Sequence, residues 1–206
     1  MRLLPRIGRM ASTHSAAIAV AAARLIVEEG MEYGAAKRRA ARDLGVNARN
    51  GELPGNEEIE DEVRAYLDLF HADTQPGELA ELRRIAALWM EGLAAFRPHL
   101  TGAVWRGTAT RLNSIFIDLF CDDSKSAEIA LIDQRIDYDV SSVDGPRGRV
   151  LDVLNLHVPS TKIPAGVHVA LTVRDYDDLR GALHRDARGR SDRGDLAALR
   201  SREAGA

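Results

Sequence analysis

The stretch LTGAVWRGTATRLNSIFIDLFCDD, residues 100–123, decides how the rest of the chain is read. It holds a short apolar run, a turn at Gly107-Thr108, a polar connection and a strongly apolar run from Ile115 to Cys121. Strand alternation in the second run puts Ser114, Phe116, Asp118 and Phe120 on one face and Ile115, Ile117 and Leu119 on the other. The aliphatic face belongs in a core. The mixed face sets a carboxylate between two phenyl rings, which is costly unless Asp118 is hydrogen-bonded, metal-bound or near a sheet edge. Gly107 and Thr108 offer bare backbone and a hydroxyl that a phosphate can approach.

Upstream of this stretch the apolar residues recur every three or four positions, the period of amphipathic helices. After a loose arm over residues 1–11, Ser12 or Thr13 caps a first helix carrying Ile18, Ala22, Leu25 and Ile26. A second helix is expected over Tyr33–Leu44, with Ala36, Ala40 and Leu44 on one side. Residues 46–56 are rich in turn formers and read as a loop, with Asn56 as the next cap. A third helix over Glu57–Phe70 carries Ile59, Val63, Leu67 and Phe70. Its first-turn carboxylates suit the helix dipole and need no catalytic explanation. The clearest period lies in a fourth helix, Glu78–Phe96, where Leu79, Leu82, Ala86, Trp89, Leu93 and Phe96 form a broad stripe suited to packing on a sheet.

Downstream the period changes. Strand-like runs cover residues 100–105, 115–121, 136–143, 150–158 and 167–173, and the DGPRG connection at 144–148 predicts an antiparallel hairpin between the third and fourth. Ser124–Gln134 reads as a short helix capped by Ser124 or Ser126. Beyond Asp175 charge and glycine take over. The expected layout is α+β: an N-terminal helical segment at 1–75, a small mixed or antiparallel sheet with flanking helices at 76–180, and a mobile charged tail at 181–206 with room for one short helix near Leu196–Arg200.

Composition narrows the function classes. The chain has 206 residues, is 45% hydrophobic and carries a formal net charge of −3, so it has core-forming material but no global positive field to draw it to nucleic acid. The single cysteine, Cys121, rules out an intrachain disulfide and a Cys-rich zinc site and points to a reducing cytoplasm. Asp122 and Asp123 beside it discourage a thiolate. The run Ala16–Ala23 follows three arginines but continues through Arg24 into an amphipathic pattern, so it is not read as a signal peptide, and no run approaches the roughly 20 apolar residues of a membrane span. The six histidines show no metal-ligand spacing along one helix, although His157 and His168 fall in neighbouring strand runs and can meet across a sheet in a structural or surface role. Neither a Walker-type loop nor a dinucleotide fingerprint is present.

A glycine-plus-hydroxyl turn, a polar connection and then an Ile-Asp-Leu strand resemble the nucleotidyltransferase superfamily, in its minimal nucleotidyltransferase form. The phrases AARLIVEEGMEY (22–33), AKRRAARDLG (36–45), LPGNEEIEDEVRAYLDLF (53–70) and GTATRLNSIFIDLF (107–120) also look like those of a family of small bacterial proteins with a nucleotidyltransferase-like centre. The resemblance implies a turn, here Gly107 and Thr108, that opens a helix and holds nucleotide phosphates, with Arg106 and Arg111 nearby. It also implies carboxylates at alternate strand positions, with a third from a neighbouring strand, that bind Mg²⁺. Asp118 matches the second carboxylate and Asp152, in VLDVLNL, the third, whereas Phe116 stands where the first would be. The implied activity is transfer of a nucleoside monophosphate from a nucleoside triphosphate to a hydroxyl acceptor. The alternative, favoured by Phe116, is a non-catalytic nucleotide- or protein-binding module with a degenerate metal site. The two readings part on whether Asp118 and Asp152 converge.

Overall fold

The computed structural model describes residues 6–46, 53–123, 125–183 and 189–204, without the side chains of residues 6–13 and 147. The chain divides into two compact units, Met1–Gln75 and Pro76–Ala206. In the first, helix α1 (Arg6–Glu29) packs with α2 (Tyr33–Asp43) and α3 (Asn56–Phe70). Ile18, Ala22 and Ile26 of α1 meet Ile59, Val63 and Leu67 of α3, while Ala36 and Ala40 let α2 approach closely. The expected arm and cap move: α1 already runs from Arg6, so Ser12 and Thr13 lie inside it, as the helix-favouring alanines around them allow. Residues 1–5 of that arm, and residues 47–52 of the expected loop, lie outside the described residues. The cap of α3 is Gly55, whose N–H donates to Glu58 Oε2 at 2.9 Å, and Asn56 is the first helical residue.

The second unit is built on a mixed six-stranded sheet in the order β3-β4-β5-β2-β1-β6. Its strands are β1 (His99–Thr101), β2 (Ile115–Cys121), β3 (Asp139–Asp144), β4 (Val150–Val158), β5 (Val167–Asp175) and β6 (Arg193–Gly194). Central β2 and β5 run parallel, with Ile117 beside Leu171 and Asp118 beside Thr172. β3 and β4 form the expected antiparallel hairpin, and β4 pairs antiparallel with β5. Alternation then sorts the side chains. Ile115, Ile117, Leu119, Leu154, Leu156, Val169 and Leu171 share a core with Leu82, Ile85, Ala86 and Met90 of α4 (Gln75–Gly92). Burying such a side chain contributes roughly 1.5–3 kcal/mol, so this one face supplies most of the unit's hydrophobic drive.

The first strand departs from expectation. β1 ends at Thr101, and residues 102–106 form a short helix, α5 (Gly102–Arg106), instead of extending the strand. Gly102 makes the reversal with φ +72, a conformation open to glycine, and a Cβ there would crowd the Phe116 ring at 3.2 Å. The turn of α5 buries Val104 and Trp105 together, which a strand would send to opposite faces. Between β2 and β3, α6 (Ser126–Asp133) sits where a helix was expected, and Ser126 Oγ donates to Asp123 Oδ2 at 3.2 Å. Ser124 lies outside the described residues.

The C-terminal segment is folded where a mobile tail was expected. After α7 (Asp178–Ala182), residues 184–188 lie outside the description, and then β6 pairs with β1 and leads into α8 (Leu196–Ala204). Leu199 is fully buried, Asp195 Oδ1 accepts from Ala198 N at 2.8 Å, and Trp105 Nε1 donates to Ser191 O at 2.7 Å. Leu199, with Leu196 and Ala198 packed less deeply beside it, and the Trp105 contacts give the segment its apolar anchoring, too little apolar material to stand out in composition.

Candidate functional site

Asp118 lies in the middle of β2 on the face opposite the aliphatic core and is 2% exposed. Its neighbours on that face come from three strands. Arg174 of β5 places Nε 2.8 Å from Oδ1, and Arg193 of β6 donates from Nη1 to Oδ2. His99 of β1 is the direct register partner of Asp118. It sits edge-on to Phe120 with centroids 5.3 Å apart and is bonded through Nδ1 to Arg97 O at 2.9 Å. The cost of a carboxylate beside phenyl rings is therefore met by two guanidiniums, one on each oxygen.

Asp152 does not join this cluster. On β4 it alternates in phase with Leu154, which pairs with Leu171, whereas the neighbour that pairs with Thr172 beside Asp118 is Val153. Asp118 and Asp152 thus project from opposite faces of one sheet. Asp152 is instead half-exposed beside Lys125, with Nζ to Oδ2 at 3.6 Å. Shared ligation requires oxygens about 2.0–2.6 Å from one ion, and two opposed faces do not supply it. The expected metal pair is corrected on this ground. Phe116, at the first carboxylate position, lies on Asp118's face, and no group of three or more metal-ligating side chains occurs among the described residues.

The expected phosphate turn is also placed differently. Gly107 and Thr108 close α5 rather than open a helix: both backbone N–H groups donate to Ala103 O, at 2.9 and 3.0 Å. Gly107, with φ +85, lies against Arg83 and Leu79 of α4. Thr108 is buried, with its hydroxyl enclosed and unbonded among the described residues, so solvent-borne phosphate does not reach it. Arg106 is the last residue of α5. Arg111 is held by Glu78, through its N–H to Oε2 at 2.8 Å and its Nε to Oε1 at 3.6 Å. Gly102, which follows the first strand and opens a helix, occupies the place the resemblance gave to Gly107.

Arg174 and Arg193 are the site residues that sequence reasoning missed. Arg174 lies near the end of β5, just past the run 167–173 read from the sequence and directly before Asp175, so nothing in the sequence marked it as the partner of a buried anion, while Arg193 sits in the segment read as a tail. Sharing His99 with the Asp118 cluster, a cavity of about 450 Å³ is lined also by Met90, Arg97, Leu179, Asp195 and Leu196, and it includes none of the residues expected to bind nucleotide.

No family model matches the chain, and no curated protein sequence matches it. Among solved structures it is similar to the Cid1 poly(U) polymerase bound to MgGTP, at 14% identity and a TM-score of 0.33, over 48% of this chain and 32% of that one. It is also similar to Cid1 in complex with the UTP analogue UMPNPP, at 13% identity and a TM-score of 0.33, over 48% of this chain and 31% of the other. A third is Cid1 in complex with its short product ApU, at 14% identity and a TM-score of 0.33, over 50% and 32%. The chain thus spans about a third of the length of those polymerase chains. Likeness at this level carries no weight for function, and the reading of the site rests on its own residues.

Proposed function

We propose that the second unit is a binding module of nucleotidyltransferase-like design whose metal site is degenerate, and that it does not transfer nucleotides. The observation that carries this reading is the double ion pair on Asp118: Arg174 and Arg193 occupy the oxygens that a metal would need. The only other carboxylate with a motif-based claim, Asp152, stands on the opposite face. Two-metal catalysis works by polarising phosphate oxygens between cations held by several converging carboxylates, and a carboxylate neutralised by two arginines attracts no such cation. The ligand classes for such a module are a nucleotide held without metal or a protein segment.

The test is thermal stability with each of ATP, GTP, CTP and UTP, with and without Mg²⁺. The module reading expects any nucleotide shift to be the same in both conditions. A Mg²⁺-dependent shift that disappears in Asp118→Asn would reinstate nucleoside monophosphate transfer to a hydroxyl acceptor.

A further inference from the structure

On the face that bears Asp118, a line of polar side chains crosses β3, β4 and β5 and ends at Ser114, the residue just before β2. The register builds it. Ile115 pairs with Val169, which sets Ser114 beside His168, and Asn155 pairs with Ala170, which sets it diagonal to His168 on the same face. Ser141 of β3 pairs with Val153, one alternation step from Asn155. The contacts follow: Ser114 Oγ to His168 Nδ1 at 2.9 Å, His168 Nε2 to Asn155 Oδ1 at 3.1 Å, and Asn155 Nδ2 to Ser141 Oγ at 2.8 Å.

The hydrogens in this line are fixed by elimination. Asn155 Nδ2 faces three acceptors, Ser141 Oγ at 2.8 Å, Val153 O at 3.1 Å and Asp139 O at 3.3 Å, which settles the amide orientation and leaves Oδ1 toward the imidazole. An amide oxygen only accepts, so His168 Nε2 carries the hydrogen of the neutral ring and Nδ1 carries the lone pair. The Ser114 hydroxyl therefore donates to Nδ1. A hydroxyl aimed at a base, with the base oriented by a third group, is the arrangement that activates a serine nucleophile.

We infer that Ser114, His168 and Asn155 form a serine nucleophile site for small activated carboxylic esters, distinct from the Asp118 cluster. Ser114 Oγ attacks the acyl carbon while its proton passes to His168 Nδ1. The carbonyl re-forms as the bond to the leaving alcohol or phenol breaks, and that oxygen takes the proton from His168. Water then repeats the cycle on the acyl-serine and releases the carboxylic acid, with no change of oxidation state. Asn155 is a positioning residue that holds the imidazole tautomer. Ser114 is half-buried and His168 exposed, so the site suits short acyl groups with leaving groups as good as a nitrophenolate.

The experiment uses the full chain, a fluorophosphonate probe with peptide mapping, and p-nitrophenyl acetate hydrolysis, with melting curves confirming that each variant folds. The expected result is probe attachment at Ser114, lost in Ser114→Ala. Acylation should fall about 100-fold in His168→Ala, the usual scale of a general base. Asn155→Ala should slow acylation and shift its pH profile, Asn155→Asp, which keeps the acceptor, should restore it, and Ser142→Ala on the other face should leave it unchanged. Absence of labelling on folded protein, labelling spread over several serines, or Ser114→Ala hydrolysing as fast as wild type would overturn the inference.

Discussion

Replacing Asp118 by asparagine keeps the shape of the side chain and removes its charge. In the wild type the carboxylate is 2% exposed and faces Arg174 and Arg193, whose side chains are 20% and 17% exposed. Breaking a buried ion pair by deleting one partner costs about 3–5 kcal/mol, because the remaining charges stay desolvated and uncompensated. Two guanidiniums are left here, each with partial access to water, so the lower end, about 3 kcal/mol, is expected. For a domain of this size, each kcal/mol lowers the melting midpoint by roughly 3–6 °C, which gives a drop on the order of 10 °C. Urea and thermal melts of wild type and Asp118→Asn measure it. A triple variant, Asp118→Leu with Arg174→Leu and Arg193→Met, should recover most of the loss, since apolar side chains often replace buried ion clusters at little cost. If Asp118→Asn melts within about 0.5 kcal/mol of wild type, the carboxylate is not the structural keystone described above.

Other expectations follow from the same unit. Glu81 of α4, 1% exposed at the side chain, accepts two hydrogen bonds from Arg84 at 2.9 Å and one from Ser160 at 2.8 Å. The Arg84 hydrogen bonds, outweighing burial, bring its pKa from the ordinary 4.5 down to about 2. A depressed pKa gives stability that is present above pH 4.5 and lost as pH falls toward 2. Glu81→Gln should therefore flatten the acid limb of the stability profile by about 2 kcal/mol, with exposed Arg84 limiting the effect. Gly194→Ala would drive a Cβ into the Trp105 ring, so tryptophan fluorescence should shift and limited proteolysis should release the α8 segment, at a cost of about 1–3 kcal/mol. Burial, followed by Asp123, Asp122 and Asp175, pushes the Cys121 thiol up. Its reaction with a thiol reagent at pH 8 should be at least about tenfold slower in native than in denatured protein.

The helical unit was legible because its apolar residues repeat with one clear period, and β2, β4 and β5 because each is a short, largely apolar run rich in Val, Ile, Leu and Phe. Asp118 was legible as an anomaly, a carboxylate on a strand with phenyl neighbours. Its explanation was not, because one partner is supplied by a two-residue strand 75 positions later, in a segment anchored by little more than Leu199 and the Trp105 contacts. The placement of Asp152 was legible in principle: it lies in phase with Leu154 and Leu156 of its strand, though not with Leu151, whereas Asp118 lies out of phase with the isoleucines of β2. Phase along a strand fixes the face, and the two carboxylates were always destined for different ones. The reversal at Gly102 was hidden because the run Leu100–Trp105 is too short, with Thr101 and Gly102 among its apolar residues, to give a period by which to tell a strand from a helical turn.

Whether Asp118 is a structural anion or a metal ligand is decided by incubating the protein with labelled nucleoside triphosphates and Mg²⁺ and following label into protein, RNA and small hydroxyl acceptors. A carboxylate held by two arginines should give no transfer by wild type above the level of Asp118→Asn. Mg²⁺-dependent transfer by wild type that vanishes in Asp118→Asn would contradict it.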